Sequence, residues 1–113
     1  MSIIRSVPSE RVINGQIIVS SENAVVSDGE FTTKGEGFVI IKNVDNCKIT
    51  LDHTTTDHVT IKALSKALII PSVGKIDDEF DEVFLDVGSC VEFAFASGIW
   101  YVVSSDGLKN SSN

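Results

Sequence analysis

The sequence predicts an all-β domain, a compact antiparallel β-sandwich or a jelly-roll-like barrel of seven to nine short strands. Apolar and polar residues alternate in segments such as 47–51 and 59–63, so each segment has one buried and one wet face. The segments are enriched in Val, Ile and Phe, which favours strands over helices. Turn-forming residues separate them, and strands begin about every ten residues, the spacing of a sandwich or barrel.

A β-hairpin is predicted near the end of the chain, where two aromatic and β-branched segments flank Ala96-Ser97-Gly98. Gly98 supplies the turn, because glycine adopts backbone angles that other residues avoid. Trp100 and Tyr101 are neighbours in the second strand. Since neighbours in a strand point to opposite faces, one ring is expected in the core and the other is a candidate for contact with a partner.

Four short apolar runs do not alternate and are compatible with strands covered on both faces. These runs are residues 16–19, 38–41, 68–70 and 83–87. Residues 61–70 are also compatible with a helix, but the segment is short and uncapped, so strands are preferred there.

The chain of 113 residues indicates one domain, which we assign to residues 14–107. Residues 1–13 are expected to form an extended N-terminal arm that packs on a neighbouring subunit, although an ordinary edge strand explains the same pattern. Residues 108–113 are polar and are expected to form a flexible tail. The candidate interface residues in the arm are Ile3, Ile4 and Val7.

Composition restricts the classes of partner. The hydrophobic fraction of 42% and the charged fraction of 22% are those of a globular protein. The net charge is −7 and the nine basic residues are scattered, so no nucleic-acid partner is expected. No apolar run is long enough for a membrane-spanning helix, and the N-terminus lacks a signal-peptide pattern. We therefore expect folding in a cytoplasm and no membrane partner.

Both cysteines, Cys47 and Cys90, lie in apolar strand patterns. The preferred interpretation is two reduced thiols in the core, where cysteine behaves as a small hydrophobe. A disulfide would require the two strands to pair closely, which spacing alone does not establish.

Residues 52–58 contain both histidines, His53 and His58, together with two aspartates. Histidine and aspartate are ligands for zinc and similar ions, but this spacing matches no metal motif of known geometry. The threonines between them favour a polar loop that joins two strands.

Residues 77–82 form the densest cluster of charge in the chain. A calcium loop of the EF-hand type would need Gly where Glu82 stands and Glu where Gly88 stands. A solvated loop is therefore preferred, with an irregular calcium site as the alternative. Phe80, in the middle of these acids, is predicted to lie in the core or at a subunit contact. No phosphate-binding loop or nucleophile motif is present, so neither catalytic residues nor a cofactor is predicted.

Segments between residues 48 and 104 follow a recognisable order of strands and turns. They are Val59-Thr60-Ile61-Lys62, Leu68-Ile69-Ile70-Pro71, Gly74-Lys75-Ile76-Asp77, Val83-Phe84-Leu85, Gly88-Ser89-Cys90-Val91-Glu92-Phe93 and Gly98-Ile99-Trp100-Tyr101-Val102. This order resembles a small β module of tailed-bacteriophage structural proteins, and it covers about half of the chain.

The resemblance implies a virion component without enzymatic activity. A free-standing domain of this length fits a capsid decoration (cement) protein, assembled in the host cytoplasm, that binds the major capsid protein on the outer capsid surface. Such proteins usually act as homo-oligomers, with a trimer favoured over a dimer. The tentative interface residues are Ile3, Ile4, Val7, Phe80, Trp100 and Tyr101.

Two alternatives stay open. A head- or tail-fibre module that binds a receptor or carbohydrate would use exposed aromatic rings to stack on sugars. A small enzyme on a jelly-roll frame would use His53, His58 and nearby carboxylates to chelate a metal.

Overall fold

A computed structural model describes residues 10–13, 16–19 and 21–106, and these residues form strands and turns without a helix. The eleven strands are β1 (Glu10–Ile13), β2 (Gln16–Val19), β3 (Ser21–Val26), β4 (Glu30–Thr32), β5 (Glu36–Ile41), β6 (Asn46–Leu51), β7 (His58–Ala63), β8 (Lys66–Pro71), β9 (Val83–Leu85), β10 (Cys90–Ala96) and β11 (Ile99–Asp106). β1 and β2 pair with each other, and the remaining strands form two sheets.

The all-β sandwich prediction is confirmed. One sheet has five strands in the order β11-β10-β7-β5-β3, and the other has four in the order β4-β6-β8-β9. Alternate residues of both sheets are buried in one common core, which gives the period of two seen in the sequence. Its largest fully buried side chains include Phe93, Trp100, Ile49, Ile61 and Leu51.

The antiparallel part of that prediction needs correction, because four of the seven pairings in the two sheets are parallel. β3, β5 and β7 pair in parallel in one sheet, while β4, β6 and β8 pair in parallel in the other. The chain therefore alternates between the sheets and forms three stacked coils of two strands each. Alternating apolar residues predict a buried face, but they carry no information on strand direction.

Buried hydroxyls hold the corners of these coils together. Thr33, which follows β4, is fully buried, and its Oγ1 accepts a hydrogen bond of 2.9 Å from the backbone N–H of Asp52. Buried Thr56 accepts another from Gly35 N–H at 2.9 Å. Because a buried N–H needs a partner, these side chains satisfy the backbone where the chain leaves one sheet for the other.

The last three strands close the stack with antiparallel pairing. β9 pairs with β8, β10 pairs with β7, and β11 pairs with β10. The predicted hairpin is confirmed: Ser97 and Gly98 form its two-residue turn, with φ angles of 53° and 81°. Positive φ at both central positions is the pattern of a type I′ turn, which matches the twist of the flanking strands.

Pairing at the free edge of β11 is blocked by the segment after β8. Asp77 donates its N–H to the Trp100 carbonyl at 2.7 Å, and its Oδ1 accepts from Val102 N–H at 3.0 Å. Val103 is skipped in the register between β10 and β11, so a bulge interrupts the strand just beyond. Capping side chains and bulges both protect exposed strand edges from association.

Several finer predictions change in the structure. The segment compatible with a helix divides into the end of β7, a turn and β8. Cys47 is buried, but Cys90 is half-buried on the outer face, so only one thiol belongs to the core; both are free. Burial, and then Asp28, raise the pKa of Cys47. Part of the proposed arm, Glu10–Ile13, is a strand, whereas residues 1–9 and 108–113 lie outside the described residues.

Candidate binding surface

The structure separates the neighbouring rings of β11. Trp100 is fully buried and belongs to the core, whereas 38% of Tyr101 is exposed. Strand alternation predicted this division without saying which ring would be inside. Trp100 therefore presents no surface to a partner, and Tyr101 stays the candidate contact residue of the pair.

Trp100 is held in place by contacts with aromatic neighbours and by close packing. Its ring centroid lies 5.3 Å from that of Phe95, at an interplanar angle of 56°, and Phe95 in turn lies 5.1 Å from the ring of His53. The indole Nε1 is buried without a hydrogen-bond partner within the described part of the chain. A buried donor of this kind weakens the fold, so packing must hold Trp100 in place.

Ser104, Glu92 and His58 form a polar cluster on the outer face of the five-stranded sheet. Ser104 donates to Glu92 Oε1 at 2.8 Å, and His58 Nε2 contacts Glu92 Oε2. These hydrogen bonds, first from His58 and then from Ser104, hold the pKa of Glu92 below its ordinary value. A nucleophilic triad needs the imidazole between serine and acid, but here the acid lies between the other two. The cluster therefore fits sheet stabilisation and not nucleophilic catalysis.

The two histidines do not converge on one site. His53 Nδ1 is 2.8 Å from Ser72 Oγ, whereas His58 contacts Glu92 on β10. Within the described ranges, no three side chains with metal-binding groups come together. Residues between β6 and β7 form the predicted polar loop, in which Asp52 Oδ1 accepts from Thr54. The Thr54 hydroxyl, and then its N–H, lower the pKa of Asp52.

The acidic segment 77–82 is partly structural. Asp77 binds the edge of β11, and Lys75 Nζ forms a 2.6 Å ion pair with Asp81 Oδ1. Phe80 is 41% exposed, so its alternative placement in the core is wrong and the subunit contact stays a prediction. An exposed aromatic ring among carboxylates suits a partner surface that combines apolar and basic side chains.

An apolar stripe runs along the outer face of the four-stranded sheet. It consists of Leu68 and Ile70 on β8 and Phe84 on β9. Phe84 is directly opposite Leu68 and is 49% exposed, while Leu68 and Ile70 are half-buried. Val87, just beyond β9, is also exposed. This apolar stripe is the candidate binding surface. Phe80 lies apart from it, since it pairs with Ile76, which bridges Trp100 of β11 in the other sheet.

Phe84 was not predicted to be a surface residue, because the apolar run 83–87 is compatible with a strand covered on both faces. Leu85 is buried, but Phe84 and Val87 are exposed, so that interpretation is wrong for this run. The signal that could have found Phe84 is its place between Val83 and Leu85 in a short strand, where one of two successive side chains must point outward. Ile3, Ile4 and Val7 lie outside the described residues.

No protein-family model matches the chain, and no curated protein matches it significantly. No helix of the described residues is long and apolar enough to cross a membrane.

Proposed function

We propose that the chain is a bacteriophage structural protein, a capsid decoration protein that binds the outer capsid surface and stabilises the shell. The partner is the major capsid protein, and the protein also associates with itself. The proposal rests on the resemblance of residues 48–104 to a β module of tailed-phage structural proteins. It receives physical support from the surface of the sandwich.

The observation that carries the proposal is exposure of aromatic side chains beside a rigid sheet. Phe80 and Phe84 are 41% and 49% exposed, and Phe84 lies directly across from Leu68. Aromatic side chains held on rigid elements lose little entropy on binding, so they are effective anchors at interfaces. A shell with many equivalent positions turns a modest affinity for each copy into firm attachment.

Charge favours a basic partner surface around these rings. The chain carries a net charge of −7, and five of the acidic residues lie within positions 77–82. Opposite charges at the rim of an interface accelerate association and select the partner. Binding should therefore weaken as ionic strength rises.

The direct test is cosedimentation of the purified protein with empty heads of the virus that encodes it. The expected result is saturable binding, with a higher temperature of head disruption in the bound state. Phe84→Ser should raise the apparent Kd by roughly tenfold or more, since anchors of this kind contribute over 1 kcal/mol. Val103→Ser is the matched control, because Val103 is 56% exposed but lies on the other sheet. An absence of saturable binding by the unchanged protein would overturn the proposal.

A truncation tests the N-terminal arm separately. Deleting residues 1–9 removes Ile3, Ile4 and Val7 while keeping β1 and β2. The truncated protein is expected to keep its circular dichroism spectrum and to occupy fewer positions on the heads. Equal occupancy would remove the arm from the interface and leave the apolar stripe as its main element.

Tyr101 favours a second candidate, a fibre or carbohydrate-binding module. It lies opposite Ala94, which lies opposite His58 on β7. An exposed ring beside a small residue and polar groups is a platform on which a sugar ring could stack. Binding to a glycan array that Tyr101→Ala abolishes, without binding to heads, would favour this candidate.

A further inference from the structure

The outer face of the four-stranded sheet has an ordered arrangement of side chains across its strands. The register places Glu30, Lys48, Leu68 and Phe84 in one row, each directly opposite the next. Leu68 and Phe84 belong to the apolar stripe, and Lys48 on β6 borders it. The outer face of this sheet is therefore polar at β6 and becomes apolar toward β9.

Opposite charges flank the apolar stripe. Lys48, exposed on β6, lies on one side, and neither it nor Lys66 at the start of β8 forms an ion pair within the described residues. On the other side, Glu82 precedes β9 and Asp86 follows it, so each is two residues from Phe84. Glu82 is exposed and Asp86 is half-buried.

This arrangement is complementary to itself under two-fold rotation. When two such faces meet about an axis along β8, Leu68 and Ile70 of one copy meet the same residues of the other. Lys66 also meets its counterpart, and these like charges oppose association at one end of the contact. The rotation brings β6 of each copy over β9 of its partner, so Lys48 faces Phe84 and the flanking carboxylates. Two-fold interfaces use one patch on both subunits, and that patch must match itself in this manner.

We propose that two copies of this chain associate through the apolar stripe, face to face, with Lys48 of each copy on the acidic β9 side of the other. This inference rests on the self-association in the proposed function. The dimer covers the apolar stripe, so a copy in the dimer does not bind a head through that stripe at the same time. Each apolar stripe then loses water, and each exposed lysine gains both a carboxylate and an aromatic face.

The contact is small. Two strands of six residues, β6 and β8, and the three-residue β9 cover roughly 240 Å² of flat area when strands lie about 4.8 Å apart. Standard interfaces bury about 800 Å² on each side, so a weak and reversible dimer is expected, with a Kd on the order of 100 µM.

Sedimentation velocity of the full chain from about 10 µM to about 1 mM tests the inference across the expected Kd. A monomer–dimer equilibrium is expected for the unchanged protein. Phe84→Ser and Lys48→Glu should each raise the Kd at least tenfold. Val103→Ser, on the other sheet, should leave it unchanged. Circular dichroism and Trp100 fluorescence establish that each variant is folded.

A charge exchange makes the test specific. Lys48→Glu combined with Glu82→Lys should restore much of the dimerisation that Lys48→Glu removes, because the pair of charges is reversed in both halves of the contact. A monomer at every concentration, a dimer insensitive to Phe84→Ser, or a trimer would each overturn this two-fold contact. Head cosedimentation is measured separately, so loss of the dimer and loss of the proposed function are distinguishable.

Discussion

The coils formed by β3 to β8 and the closing strands β9 to β11 differ in how far apart their paired residues lie in sequence. In the coils, Ser21 pairs with Glu36 and Phe38 pairs with Thr60, which are 15 and 22 residues apart. In the closing hairpin, Ala96 pairs with Ile99 across a two-residue turn. Strands at similar intervals along the sequence can therefore belong to two different topologies.

The two regions also differ in how their backbone groups find hydrogen-bond partners. The hairpin relies on a turn whose φ angles are positive, and neighbouring residues complete its pairing. The coil corners rely on side chains from another coil, such as Thr33, which serves Asp52 nineteen residues away. Long-range pairing must overcome loop-closure entropy before it contributes, so we expect the hairpin to form early and the coils to form with the core.

The largest expected effect comes from removing a core side chain in either region. Trp100→Ala in the closing region and Ile49→Ala in the coils should cost about 3–5 and about 2–5 kcal/mol of the free energy of unfolding, respectively. Both residues belong to one core, so one cooperative transition should shift in each variant. Urea unfolding followed by Trp100 fluorescence and by far-UV circular dichroism checks this in the Ile49 variant. Separate transitions for the two signals would show that the regions unfold independently.

Trp100→Phe is the matched variant for the closing region. It removes the buried indole N–H that has no partner within the described residues, while it keeps an aromatic ring. Loss of the unpaired donor and loss of ring volume oppose each other, so the net change should stay within about 1 kcal/mol. A loss as large as that of Trp100→Ala would mean that Nε1 makes a contact important to the fold.

Thr33→Val tests the coil corner. Valine keeps the shape of threonine but leaves the Asp52 N–H without its 2.9 Å partner. An unpaired buried donor costs about 1–3 kcal/mol, which urea unfolding would measure. Thr32→Val, at the exposed last position of β4 just before Thr33, is the control and should change stability by less than about 0.5 kcal/mol. Equal effects at both positions would contradict the role of the buried hydroxyl.

Glycine substitutions compare the turn with a strand of the coils. Gly98 has a φ of 81°, so Gly98→Ala should cost about 1–2 kcal/mol although there is room for the methyl group. Gly37 in β5 has no positive φ and open space around its Cα, so Gly37→Ala should stabilise by about 0.4–1 kcal/mol. Thermal unfolding of both variants checks the opposite signs. A stabilised Gly98 variant would exclude the type I′ turn.

The parts of the fold that depend on local chemistry could be predicted from the sequence. Alternation predicted the buried faces of residues 47–51 and 59–63, and Gly98 predicted the hairpin, because both signals lie within a few residues. The parallel coils were not predicted, since their register steps of 15 to 22 residues are unequal and leave no visible repeat. Strand direction is decided by corners such as Thr33, whose partners are distant in sequence.

The candidate surface was less predictable than the fold. The neighbouring positions of Trp100 and Tyr101 required opposite faces, but only the packed core showed that Trp100 is inside. Phe84 stood in an apolar run, and its exposure depends on β9 lying at the edge of the four-stranded sheet. Whether a strand lies at an edge depends on the order of strands in the assembled sheet, and a short apolar run does not specify that order.

The smallest expected effect is a pH dependence that joins the two regions, since Glu92 on β10 contacts His58 on β7. Hydrogen bonds from His58 and Ser104 lower the pKa of Glu92 in the folded state. A lowered pKa means that the stabilisation is present above the ordinary glutamate pKa and is lost as pH falls through the folded value.

Glu92→Gln should therefore lose less stability than the unchanged protein when the urea midpoint is compared at about pH 7 and about pH 3. The acid-induced loss of stability in Ser104→Ala should lie between the losses in Glu92→Gln and in the unchanged protein. Glu30→Gln, which changes an exposed carboxylate on β4, should lose as much stability as the unchanged protein. Some acid sensitivity must persist in Glu92→Gln, because the pKa of Asp52 is lowered as well. An acid-induced loss in Glu92→Gln equal to that of the unchanged protein would show that the contact between β7 and β10 does not couple stability to pH.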